Sequence, residues 1–111
     1  MSHSIQLVAE GQYALLAYYG EMGFEEVAAV RQEIANLLLD KKWHRVLVDA
    51  LALHSNPRPA ELVELGRSLT RFLPRYTRIA LLVRPDQARN ARCLEKMARN
   101  REVFLTFFLN A

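Results

Sequence analysis

Apolar positions along the chain follow two different periods. Ser4 to Ala9 and Gln12 to Tyr19 are short stretches rich in aromatic and branched side chains, as strands are, and Glu10-Gly11 between them predicts a hairpin turn with glycine taking the positive φ. In the second stretch Tyr13, Leu15, Ala17 and Tyr19 fall on one face and Ala14, Leu16 and Tyr18 on the other. Apolar residues on both faces predict a central strand covered from both sides.

From Phe24 to Leu39 the spacing changes: Val27, Val30, Ile34, Leu37 and Leu38 make one stripe of an amphipathic helix. Glu25 and Glu26 near its start and Lys41 and Lys42 at its end complement the helix dipole. His44 to Ala50 is too short for a helix and reads as a buried strand, with Pro57 and Pro59 closing the segment. Pro59 is tolerated in a first helical turn, so a second helix is expected from there to Leu73, with Leu62, Leu65, Leu69 and Phe72 on one face. Thr77 to Arg84 is the next strand, Pro85-Asp86 opens a weaker helix to about Arg99 with Ala91, Leu94 and Ala98 inward, and Val103 to Leu109 is a last strand.

The order β β α β α β α β predicts an α/β fold: a mixed sheet of about five strands, an N-terminal hairpin followed by right-handed βαβ crossovers. At 111 residues and 51% hydrophobic the chain fits one domain, residues 1–111, with one core. No apolar run approaches the ~20 residues that span a bilayer and the start lacks a signal-peptide pattern, so a cytoplasmic protein is expected. Cys93 is the single cysteine, which excludes an intrachain disulfide, and its default reading is a small packed thiol. No Cys/His spacing points to a metal, and no motif to a cofactor.

KKWHRVLVDA as the first crossover-fed strand, PRPAELVELGRSLTRFLP as the next helix and TRIALLVRPDQA as strand and helix start resemble the SpoIIAA-like proteins of the STAS superfamily, over residues 4 to 108. That resemblance implies a regulatory or ligand-binding domain: STAS relatives include antagonists of anti-sigma factors and cytosolic domains of anion transporters, and the related Sec14-like fold carries lipids. Two departures follow from it. The antagonists place a phosphorylatable Ser in an Asp-Ser-x-Gly-like loop, where this chain has Leu53-His54-Ser55-Asn56-Pro57, so that switch is not expected. Relatives also follow the last strand with a packed helix, whereas here the sequence stops at Asn110-Ala111, which predicts an uncovered apolar patch and a homodimer contact at Phe107 or Phe108, one of which points inward by alternation.

Ligands of open α/β sheets sit outside the carboxyl ends of the parallel strands, an edge that would gather Asp49, His54, Ser55 and Asn56 with Arg84, and with Asp86 from the same strand end, as a ligand or partner site. The plainer alternative is that Asp49 caps a loop or pairs with Arg84, and that Ser55 or Asn56 caps the second helix. Ser55, His54 and Asp49 hold the elements of a nucleophile triad, but adjacent Ser and His point apart and no nucleophile elbow is present, so no catalytic residue is assigned and no enzyme activity is expected.

Charge is uneven along the chain. Residues 1–55 carry 4 basic and 7 acidic groups, a net −3, while residues 56–111 carry 11 and 5, a net +6. Arg67, Arg71 and Arg75, and Arg89, Arg92, Lys96 and Arg99, recur at helical spacing, so each set forms a ridge, and helices on the same side of the sheet would merge the ridges into one basic surface. Such a surface suits an acidic protein or anionic lipid headgroups, with nucleic acid least favoured because no base-reading motif accompanies the charge; an ordinary solvated helix face is the alternative. Trp43 and Tyr13, Tyr18 and Tyr19 read as packing residues. The leading expectation is a non-catalytic protein-interaction module; the rival is a membrane-surface or lipid-like ligand binder using Phe24, Leu53, Phe107 and Phe108.

Overall fold

The computed structural model describes residues 3–54, 57–99 and 103–109. Within them the chain runs β1 (His3–Val8), β2 (Tyr13–Glu21), α1 (Phe24–Lys41), β3 (Arg45–His54), α2 (Pro59–Phe72), β4 (Arg78–Val83), a 3-10 turn (Pro85–Gln87), α3 (Ala88–Arg99) and β5 (Phe104–Leu109). The α/β class, the N-terminal hairpin and the five-strand mixed sheet are as the periodicity predicts: β1 pairs antiparallel with β2, and β2, β3, β4 and β5 run parallel in that spatial order.

The helix starts share a device. No described side chain caps them in the usual Ser/Thr/Asp manner; instead the residue at the third helical position reaches back to the backbone N–H before the helix. Glu26 Oε1 accepts from Gly23 at 3.4 Å, Glu61 Oε1 from Arg58 at 2.9 Å and Gln87 Oε1 from Arg84 at 2.7 Å. This is one half of a capping box, and Pro59 and Pro85 supply pre-set φ at the first position. At the hairpin, the positive φ falls on Gln12 (φ 52) and not on Gly11; Gly11 is needed for another reason, since a Cβ there would sit 2.7 Å from the Tyr13 ring. A Cβ on Gly66 would meet Met97 Sδ at 2.2 Å, so this glycine lets α2 lie close against α3.

Each parallel crossover steps to the next strand, so right-handed connections place α1, α2 and α3 on the same side of the sheet. The core agrees with that arrangement. Ala14, Leu16 and Tyr18 of β2, Val46 of β3, Ile79 of β4 and Leu105 of β5 form one buried cluster with Val27, Val30, Ile34 and Leu38 of α1, Leu65 of α2 and Ala98 of α3. Trp43 packs at the margin of this cluster, as expected. The side chains of Leu69 and Phe72, assigned above to the inner face of α2, lie outside the described residues. The expectation that β2 is covered on both faces is corrected: no helix among the described residues lies over Tyr13, Leu15, Ala17 and Tyr19.

Candidate functional site

The carboxyl edge of the sheet is built differently from the sequence expectation, because β3 continues four residues beyond Ala50 to His54. Its pairing with β2 shifts register between Ala17↔Asp49 and Tyr19↔Ala52, so one extra residue of β3 bulges there. Asp49 therefore lies inside the strand and not at its end. It is half-buried, and its Oδ1 accepts the Leu51 N–H at 3.0 Å, which satisfies a donor that the bulge removes from the ladder. By alternation with Val48 and Ala50, Asp49 projects from the helix-free face. On these grounds Asp49 is corrected out of the expected strand-end site, while His54 and Arg84 do line one notch at this edge.

Arg84 has a structural task. β3 and β4 stop pairing at Asp49↔Leu82, which leaves the carbonyls of the last part of β3 without a strand on that side. The guanidinium takes their place in the ladder: Nη1 donates to the Leu51 carbonyl and Nη2 to the Leu53 carbonyl at 3.1 Å, while Gln87 Nε2 donates to Ala50 O at 2.8 Å and Leu53 O at 3.2 Å. The carboxylate that pairs Arg84 is Asp86, with Nε at 3.0 Å from Oδ1 and Nη2 at 3.2 Å from Oδ2, not Asp49. Hydrogen bonding from Arg84, above all, holds the Asp86 carboxyl below its ordinary value of 3.8, with the Arg84 charge and His54 acting in the same direction and slight burial opposing them. For a carboxyl depressed in the folded state, the stabilisation is present above 3.8 and is lost as pH falls through the folded pKa. An NMR titration is expected to place the Asp86 midpoint below 3.8 and Arg84→Met to move it back up; a wild-type midpoint at or above 3.8 would show that the pair does not persist in solution.

His54 ends β3 opposite Glu21, and its carbonyl accepts from Met22 N at 3.2 Å. Together with Glu26, Asp86 and Asn90 it lines a polar notch at this edge. Ser55 and Asn56 lie outside the described residues. Among the described residues no group of three or more His, Cys, Asp or Glu is placed to hold a metal ion, and no helix is long and apolar enough to cross a membrane.

The helix-free face of the sheet carries the most unusual surface. Register sorts its residues into three rungs: Arg45, Arg78 and Phe104; Leu15, Leu47, Ala80 and Thr106; and Ala17, Asp49, Leu82 and Phe108. Tyr13 extends the first rung, and it lines a shallow hollow on this face together with Arg45, Arg78 and Phe104. Phe104 is 52% exposed and Phe108 53%, whereas Phe107 turns to the helix side and packs against the cluster of Ala50, Val83 and Ala91. Arg45 and Arg78 are side by side on neighbouring strands, an arrangement that repels in isolation. Sequence reading found Phe108 from the hydrophobic run but not the rungs, because alternation identifies faces strand by strand and says nothing of which strands are neighbours.

The basic ridges are partly as expected. Arg89, Arg92, Lys96 and Arg99 are exposed along α3, with Arg99 Nη2 3.4 Å from Glu95 Oε1, and Arg67 and Arg71 are exposed on α2, with Arg71 3.8 Å from Glu64. α2 ends at Phe72, so Arg75 is corrected from the α2 ridge to the following turn, where its guanidinium lies 5.7 Å from the centre of the Tyr76 ring. Cys93 is half-buried.

No protein-family model, no curated protein and no solved structure matches the chain.

Proposed function

We propose that this protein is a non-catalytic interaction module of the SpoIIAA-like STAS type, and that its first partner is a second copy of itself. The helix-free apolar face of the sheet carries the reading. Roughly five strands at about 4.8 Å spacing and about seven residues long give a face of about 600 Å² before side-chain relief, the lower end of what each partner buries in a stable pair. Its middle is apolar, with Leu15, Leu47, Ala80 and Leu82, and its ends differ in charge, with Arg45 and Arg78 on one rung and Asp49 two rungs away. A two-fold axis lying in the contact plane and across the strands sets the Arg rung of each copy over the Asp49 rung of the other. Such self-complementarity is what a closed dimer requires, and it offsets the repulsion between the two arginines. The sequential strand order with three like-handed crossovers supports the STAS resemblance.

Sedimentation velocity at micromolar concentration tests this. The wild type is expected at dimer mass and Phe108→Arg at monomer mass with an unchanged circular-dichroism spectrum, since the two-fold sets the Phe108 rung over the Arg45 and Arg78 rung of the other copy and a further cation there repels. A wild type that remains monomeric to 100 μM, on the order of the weakest specific interfaces, overturns self-association.

A further inference from the structure

Between the sheet and its helices lies a cavity of about 160 Å³, walled by Leu16, Val46, Val48, Leu62, Leu65 and Leu94 among others, and Arg31 of α1 is the cationic side chain on its lining. Arg31 sits where an apolar residue is expected, in helical phase with Val27, Ile34 and Leu38 of the inner stripe. Arg31 is half-buried, and its withdrawal from water lowers its pKa below the ordinary guanidinium value, with the neighbouring Tyr18 opposing this.

The hydrogen bonds of this guanidinium are incomplete. Nη1 donates to the Leu65 carbonyl and to Ser68 Oγ at 2.6 Å, tying α1 to α2. Nε and Nη2 have no hydrogen-bond partner among the described residues, and no carboxylate of a described residue lies within ion-pair distance. No side-chain nitrogen of a described residue is both sealed off and unbonded, so Nε and Nη2 are open to a water-sized molecule, and a partly desolvated charge without a counter-ion favours an anion there. The Nε and Nη2 protons lie along one edge of the planar group, the edge that takes both oxygens of a carboxylate in parallel.

We propose that this cavity binds a small monocarboxylate with an apolar body of about six to eight carbons, its carboxylate on Arg31 and its body among the leucine and valine walls. Size sets the body: a cavity of about 150 Å³ with such walls accommodates a benzene-sized molecule. Charge sets the head. One cation neutralises one negative charge, so a monoanion fits where a phosphate dianion leaves surplus charge in an apolar wall. The remaining polar lining, Tyr18, Gln87 and Asn90, is uncharged. The site is distinct from the helix-free face and does not depend on self-association.

Calorimetric titration of the full chain with octanoate, and with octanol as the neutral molecule of equal length, is the test. Octanoate is expected to bind one-to-one and at least tenfold more tightly than octanol, and Arg31→Met is expected to weaken octanoate at least tenfold while changing octanol less than twofold. Equal affinity for acid and alcohol in the wild type, or octanoate affinity unchanged by Arg31→Met, overturns the proposal. Methyl NMR of the wild type decides the location without any variant: octanoate is expected to shift the methyl signals of Val48, Leu62, Leu65 and Leu94, and shifts confined to Leu15, Leu47 and Leu82 would place the acid on the open face and overturn it.

Discussion

Arg84→Met is expected to lower folding stability by about 2–4 kcal/mol in urea melts, the largest loss of any single polar substitution at the carboxyl edge. Hydrogen bonds from a charged donor contribute about 1.5–3 kcal/mol each, and the guanidinium makes two of them to β3 carbonyls that β4 does not reach. Methionine keeps the stem packed but leaves Leu51 O without this donor and Leu53 O with only Gln87. Asp86→Asn removes the exposed ion pair while sparing those backbone bonds, so it is expected to have far less effect. Comparable small losses for both variants would show that water serves the β3 carbonyls as well as Arg84 does. Arg84 thus holds the end of β3 in place while it also lines the notch at this edge.

The second large effect has the opposite sign. Arg31→Met is expected to raise stability by about 1–3 kcal/mol, because replacing a half-buried charge that has no counter-ion among the described residues by an apolar chain removes a desolvation cost. The substitution orphans little, since Leu65 O still accepts from Ser68 Oγ at 2.8 Å. Urea melts with and without octanoate make the trade visible: the ligand is expected to stabilise the wild type, by mass action, and to leave Arg31→Met unchanged. A loss above about 1 kcal/mol would instead identify the guanidinium as a structural tie between α1 and α2, with its bonds to Leu65 and Ser68 outweighing the desolvation. A residue retained at a cost to stability is the signature of a site.

Several errors of sequence reading have a common origin in non-local pairing. Ending β3 at Ala50 made Asp49 a strand-end residue, yet β2 continues to pair with β3 as far as Glu21↔His54, and a bulge absorbs the mismatch. Nothing local to Asp49 announces a bulge. Arg84 was placed correctly on its strand end, but its partners are carbonyls of a segment 31 and 33 residues away in sequence, which no spacing rule connects. Arg31 was within reach of the sequence: a cation in the Val27, Ile34, Leu38 phase interrupts an apolar stripe, and only its inward direction remained to be seen. Phe107 and Phe108 were legible as opposite faces, because alternation along a strand is a local property.

What the amino-acid sequence by itself determined is the kind, number and order of elements: period-two and period-3.6 stretches, separated by Pro and Gly signals, dictate a hairpin followed by three crossovers. The hand of those crossovers follows as well, from the chirality of the backbone. Only the tertiary structure decided which face of the sheet is covered. A strand with apolar residues on both sides, such as Tyr13 to Tyr19, suits a doubly covered sheet and an open one equally, and the choice rests on spatial strand order. Because β2, β3, β4 and β5 are neighbours in the order of the chain, every crossover turns to the same side, so that none of α1, α2 and α3 covers Leu47, Leu82 and Phe108 while α1 and α2 close over the cavity that Arg31 lines.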